Sequence, residues 1–347
     1  MSRFGRLILV VVSLVSIAYA DGPDSLRHAN ERHFRNVRQL TFGGTNAEAY
    51  FSFDGQQLIF QSTRPPYSCD QMFTMKIDGS AQQLVSTGTG RTTCGYFLPD
   101  GNKILYASTH GHGEGCPPSP DKSKGYVWGV FNDYDIFKAN ADGSGLEILS
   151  ASPGYDAEAT VSPKGDRIVF TSSRDGDLEL YTMNLDGSDV KRVTQDTGYD
   201  GGAFFSWDGK KIVYRGNHPT NPQQISEYKS LLADQLVKPG KMEIFICDAD
   251  GKNRRQLTHN DNANFAPFFF PGDKRIIFSS NMKDPGGRYF DLFAMTSGGS
   301  GLEQITFDGH FNAFAVFSKD GKKIVFVSDR NAKGRYEFNI FVADWVE

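Results

Sequence analysis

Cysteine is scarce, cationic excess is absent, and only one long apolar run occurs. The 347 residues include 4 cysteines and 3 tryptophans, and the formal net charge is −4. A negative balance gives a nucleic acid no electrostatic footing. No Asn-x-Ser/Thr triplet occurs, which leans toward a bacterial source. No Gly-x-Ser-x-Gly elbow occurs either, which disfavours a serine hydrolase or peptidase. The one apolar run, Leu7 to Ile17, follows Arg3 and Arg6 and precedes Ala18-Tyr19-Ala20. It is too short for a bilayer span and reads as a secretory signal peptide over residues 1–20, cut after Ala20. No cysteine follows the run, so a lipid anchor is not expected. The mature chain is expected to be periplasmic or extracellular, with no membrane span.

What is present is a sixfold repeat. A first turn recurs at Asp54-Gly55, Asp100-Gly101, Lys164-Gly165, Asp208-Gly209, Gly272-Asp273 and Asp320-Gly321. A second recurs at Asp78-Gly79, Asp142-Gly143, Asp186-Gly187, Asp250-Gly251 and Gly298-Gly299. Each unit closes on Leu-Thr or a variant: Leu40-Thr41, Leu84-Val85, Leu149-Ser150, Val193-Thr194, Leu257-Thr258, Ile305-Thr306. Asp-Gly and Gly-Gly supply the positive φ angles of tight hairpins. Four short strands per unit of 40 to 50 residues predict an all-β, six-bladed β-propeller over residues 37–347. Residues 21–36 read as a lead-in. The final unit stops after its third strand, and Val37 to Phe42 carries a closing signature, so this N-terminal strand is expected to complete the sixth blade.

Two of the units are long. The insertions fall near Thr109 to Asp133 and Gly216 to Lys241, both between second and third strands. Both therefore rise from one face, in blades two apart, which marks a working face. Within the second, Ile225, Tyr228, Leu231, Leu232 and Leu236 are spaced for an amphipathic helix over Ile225 to Val237, stopped at Pro239-Gly240.

The units resemble the TolB-type propeller repeat, a WD-like family. The likeness is carried by Asn264-Phe265-Ala266-Pro267 and by Phe317-Ser318-Lys319-Asp320-Gly321-Lys322-Lys323-Ile324-Val325-Phe326-Val327-Ser328. It covers residues 37–347. TolB carries an α/β domain before its propeller, for which the lead-in has no room. The resemblance thus implies an envelope or secreted propeller whose channel mouth receives a partner's peptide, without the rest of TolB's role. The chain is also similar to secreted proteins sharing Arg91-Thr92-Thr93-Cys94, Tyr155-Asp156-Ala157-Glu158-Ala159 and Tyr199-Asp200-Gly201-Gly202-Ala203, a likeness that lends no activity.

Aligned on their first turns, the blades place Asn46, Thr92, Asp156, Asp200, Asn264 and Asn312 at the start of each innermost strand. Two residues on come Glu48, Cys94, Glu158, Gly202, Ala266 and Phe314, on the same strand face by the period of two. Three readings stand for these positions. Asn and Asp there can cap turns through backbone amides. Alternatively Asp156, Glu158 and Asp200 gather as a calcium site, the oxygen ligands that hard cation takes. A site for a basic peptide or a sugar is the third reading. Arg64, Arg174 and Arg330 end the second strands and are expected to pair with these acids or to hold a partner's carboxylate. His110 and His112, near Glu114 and Cys116, offer a transition-metal alternative. His218, His259 and His310 map to the same face.

Cys247 occupies a core position in a third strand and is expected to be a free buried thiol. Of Cys69, Cys94 and Cys116, two are expected to form a disulfide in an oxidising compartment, in any of three pairings. The functional expectation is a monomeric scaffold that binds a protein or peptide at the mouth lined by Asn46, Glu48, Asp156, Glu158, Asp200, Asn264 and Asn312. The alternative is a metal-dependent enzyme acting on carbohydrate, lyase-like, on the same face.

Overall fold

The computed structural model describes residues 25–347; the signal-peptide reading lies outside them. Six four-stranded antiparallel sheets form the blades of a ring. The innermost strands are Thr45–Phe51, Thr92–Phe97, Asp156–Val161, Tyr199–Phe205, Asn264–Phe269 and Asn312–Phe317. Among the described residues no helix is long and apolar enough to cross a membrane.

The repeat chemistry explains the blades. In the first turns a serine hydroxyl binds the turn aspartate: Ser52 on Asp54 at 2.6 Å, Ser206 on Asp208 at 2.7 Å, Ser318 on Asp320 at 2.7 Å. The aspartate in turn accepts an amide two residues on, as an Asx turn does. Each second strand places one aromatic ring at its centre: Phe60, Tyr106, Phe170, Tyr214, Phe278, Phe326. All six are inaccessible to solvent. Each lies directly across from an aromatic of the third strand, as Phe60 does from Phe73 and Phe326 from Phe341. Six such cross-strand pairs form the repeating core.

The closing Leu-Thr motif is a hook. Thr258 Oγ1 accepts the Ile244 amide at 2.8 Å, Thr306 that of Leu292 at 2.9 Å, Thr194 that of Leu180 at 2.9 Å. Thr41 does the same for Ile340 at 2.9 Å. The residue before each Thr still donates to the third-strand carbonyl, as Leu257 does to Ile244 at 2.7 Å, so the hydroxyl takes over only the reciprocal bond, and the outer strand ends before the motif. That is why the closing strand of blade six is Phe34–Gln39 rather than Val37 to Phe42. It pairs antiparallel with Asn339–Trp345, from Phe34 opposite Trp345 to Gln39 opposite Phe341, and closes the ring.

The two insertions meet. Trp128–Gly129 of the first pairs with Leu236–Val237 of the second in a small separate sheet. The helix of the second insertion is Pro222–Ala233, begun by the Asn221 cap, whose side chain accepts the Gln224 amide at 2.9 Å, and by Pro222 at its first position. It starts and stops earlier than the helical spacing predicts, because Leu236 and Val237 are taken by the cross-insertion strand.

Cys69 and Cys116 form a disulfide, with Cα atoms 6.0 Å apart, tying the first insertion to blade one. Cys94 and Cys247 are free and buried. The bond closes a separation of 47 residues, for which the chain-entropy relation gives about 4 kcal/mol. Cys116→Ser is expected to lower the urea-unfolding free energy by up to that amount. Adding reductant should lower the wild type equally and leave the variant unmoved; a variant of unchanged midpoint would refute the prediction.

Candidate functional site at the channel

The first set of aligned residues does not line the channel. Asn46, Thr92, Asp156, Asp200, Asn264 and Asn312 are all inaccessible to solvent. They are fasteners inside and between blades. Asn46 donates to the Phe338 carbonyl of blade six at 2.8 Å and accepts from Ser62 and Arg64 at 2.8 and 3.0 Å. Asp156 receives Ser150, Ser152 and the Arg174 guanidinium at 3.1 Å. Asn264 donates to the Met242 carbonyl at 2.7 Å and Asn312 accepts from Ser328 at 2.8 Å. The turn-capping reading describes them in part, but most of their partners are distant in sequence.

The three arginines belong to the same fasteners. Arg330 is fully enclosed and bound by Glu31, a lead-in residue, at 2.9 and 2.7 Å. In blades two and four the equivalent position is histidine. His110 Nδ1 lies 2.8 Å from Ser108 Oγ and its ring lies 4.3 Å from that of Phe137. His218 Nε2 lies 2.7 Å from Asp200. His112 pairs with Asp135 at 3.0 Å and His310 with Asp329 at 3.6 Å. Among the described residues no three His, Cys, Asp or Glu side chains are grouped to hold a metal ion. Asp156, Glu158 and Asp200 each pair with a different side chain, Arg174, Arg215 and His218, rather than with one another, and His110 and His112 have separate partners.

The second set is the channel ring. In every blade it sits where the register with the second strand slips by a residue. Every member has positive φ: Glu48 52°, Cys94 51°, Glu158 58°, Gly202 59°, Ala266 49°, Phe314 56°. Five non-glycine residues hold a conformation that L-residues avoid. The bulge breaks the period of two, which is why the two aligned sets diverge.

One side of the ring is polar and tightly coupled. Glu158 binds Arg215, accepts Thr171 Oγ1 at 2.7 Å and Tyr199 OH at 2.9 Å, and takes the Gly202 amide at 2.8 Å. Burial pushes its carboxyl up, but the Arg215 guanidinium and these hydrogen bonds outweigh that and hold it below the ordinary value. Arg215 lies over Tyr199 at 5.2 Å and under Trp128 of the first insertion at 5.4 Å. Glu48 differs. Among the described residues it has no ion-pair partner; the Cys94 thiol donates to it, and burial pushes its pKa to about 7. The other side of the ring is aromatic: Phe265 packs against Phe290, Phe311 and Phe314.

Glu48 carries a pH signature. Its folded pKa, about 7, lies above the ordinary 4.5. The unfolded chain therefore ionises first, and stability falls as pH rises from about 4.5 to about 7, then levels. Glu48→Gln removes that slope. The variant should be more stable than wild type at pH 8, by on the order of 2 kcal/mol after allowance for water reaching the channel, and little different at pH 4.5. Equal effects at both pH values would show that Glu48 is not raised.

The face above is apolar in patches. Eight large hydrophobic side chains are exposed among the described residues. Five of them, Phe42, Tyr126, Tyr289, Phe307 and Tyr336, lie on the loops of the insertion face. Arg288 covers Tyr126 at 5.3 Å, Arg335 covers Tyr336 at 4.9 Å, and the His310 ring lies tilted against that of Tyr289 at 4.6 Å. Sequence reasoning found the face but missed these aromatics and Arg215. Trp128 was findable as a large aromatic within an insertion.

The TolB beta propeller domain profile matches residues 119–229 and 226–345. No curated protein sequence matches the chain. Among solved structures, a protein assigned as TolB from Agrobacterium tumefaciens is 16% identical with a TM-score of 0.60, covering 90% of this chain and 97% of that one. TolB from Acinetobacter baumannii is 18% identical with a TM-score of 0.55; 87% of this chain matches 64% of that one. An oligogalacturonate lyase in complex with manganese is 12% identical with a TM-score of 0.53, covering 90% and 93%. At such identities the likeness speaks for the fold.

Proposed function

The chain belongs to the TolB β-propeller family, and from that premise we propose that it is a periplasmic or secreted scaffold that binds a protein or peptide on its insertion face. One observation carries the reading: five of eight exposed large apolar side chains gather on that face. Exposed aromatics beside arginines are the anchors that protein partners use. The channel beneath offers Glu48, an acid with no ion-pair partner among the described residues, to a basic group of the partner. Signal cleavage after Ala20 would deliver the chain to the compartment in which Cys69–Cys116 forms.

The test is capture of partners from envelope extract by the wild type, by Tyr126→Ala/Tyr289→Ala/Tyr336→Ala, and by Ile148→Ser/Leu302→Ser away from this face. Loss confined to the aromatic variant supports the reading. Equal capture by all three sinks it. The carbohydrate-enzyme alternative draws on likeness of fold to the lyase. Its distinguishing result is metal retained by purified protein and lost on His110→Ala/His112→Ala.

A further inference from the structure

Beside the channel, the second insertion builds a cleft. A space of about 680 Å³ lies between the helix Pro222–Ala233 and the wall of blade four. That size falls within the ~300–1,000 Å³ of small-molecule sites. Its charged lining residues are of both signs and lie opposite one another. Lys238 pairs with Glu227, and Lys241 faces Asp261 at 4.0 Å. Glu243 receives the Thr258 hydroxyl at 2.5 Å and the amides of Asn260 and Asp261 at 3.0 and 2.8 Å. Charges of both signs on the lining favour neither an anionic nor a cationic ligand.

Neutral hydrogen-bonding capacity remains. Asn217, Thr220 and Gln224 line the cleft, and Gln224 donates its backbone amide to Asn221. His218 is set by a buried carboxylate. Asp200 is inaccessible and lies 2.7 Å from His218 Nε2. Gly216 makes this approach feasible, since a Cβ there would stand 2.6 Å from Asp200 Oδ1. An ionised carboxylate only accepts, so Nε2 carries the proton. Nδ1 is then the ring nitrogen left for a ligand hydroxyl, which can donate to it when the ring is neutral and accept from it when the ring is charged. Leu231, Val237 and Phe245 supply an apolar floor.

We propose that this cleft is a second binding site, beside the insertion-face channel and sharing Tyr199 with its wall, for a neutral, hydroxyl-rich ligand of the oligosaccharide class, with a ligand hydroxyl hydrogen-bonded to His218 Nδ1. Hydroxyls match the imidazole, amides and threonine, and the apolar face of a sugar ring matches the floor.

The probes are maltotriose, cellotriose and chitotriose, with trigalacturonate as charged comparator, titrated calorimetrically into the full mature chain. At least one neutral trisaccharide should bind with a Kd between ~1 μM and ~1 mM. Thr220→Trp, at an exposed position, should fill the cleft and weaken it roughly tenfold or more, as should Gln224→Ala. Tyr126→Ala/Tyr289→Ala should bind as wild type. The ¹⁵N resonance of His218 Nδ1 should move on binding. Because His218 also fastens blade four, the test does not rest on replacing it. Three outcomes overturn the proposal: no neutral sugar binding, binding undiminished by Thr220→Trp and Gln224→Ala, or trigalacturonate binding as tightly as the neutral sugars.

Discussion

Glu31→Ala should destabilise the propeller by about 3–5 kcal/mol, the range for removing one partner of a buried ion pair. Glu31 and Arg330 are both inaccessible, and their guanidinium and carboxylate meet at 2.9 and 2.7 Å. Arg330 also donates to the Leu26 carbonyl at 3.1 Å and to Asn312 Oδ1 at 3.2 Å, and lies over the Phe326 ring at 5.0 Å. It cannot shed its charge. Without Glu31 the cation stays enclosed and unpaired. The loss spreads, because Glu31 also accepts the amides of His28 and Phe307, at 3.0 and 3.2 Å, and so pins the lead-in across blades five and six. Urea unfolding of Glu31→Ala, Arg330→Met and the double variant decides the matter. The double should recover part of the loss, since it leaves no unpaired charge. A single variant within about 0.5 kcal/mol of wild type would refute the pinning role.

The same residues show what the sequence revealed. The blades were legible because Asp-Gly turns and alternating strands repeat locally, and a sixfold register corrects any single misreading. The insertion face was legible from spacing alone. The burial of Asn46 and its equivalents was not. Alignment placed them at the strand start but could not say whether they faced the channel or a neighbouring blade's carbonyl. Nor did the period of two survive the bulge at Glu48, which is a property of the paired strands together. Arg64, His110, Arg174, His218 and Arg330 could have been seen as one position by aligning the ends of the second strands. That alignment gives the histidines a structural role before any metal is considered. Glu31 lies outside the repeat, and no local pattern marks it as a core residue.

Gly202→Ala should cost as much as losing a buried ion pair, again about 3–5 kcal/mol, although it adds one methyl group. A Cβ at Gly202 would stand 1.9 Å from Arg215 Nη1 and 2.9 Å from its Cζ. The backbone is not the obstacle: the equivalent Ala266 holds φ 49°, against 59° here. What distinguishes blade four is the arginine crossing its ring position to reach Glu158. Displacing that guanidinium leaves Glu158 enclosed with only neutral donors. It also removes the cation beneath Trp128, and Trp128 belongs to the strand that joins the two insertions. The variant should therefore lose stability, shift tryptophan fluorescence and open the first insertion to proteolysis together. The control is the same substitution with Arg215 and Glu158 both replaced by Met. There the added methyl has no guanidinium to strike and no anion to strand, and the further cost should fall below about 1 kcal/mol. If Gly202→Ala costs the same in both backgrounds, the glycine is required by its own backbone, and the passage for Arg215 is incidental.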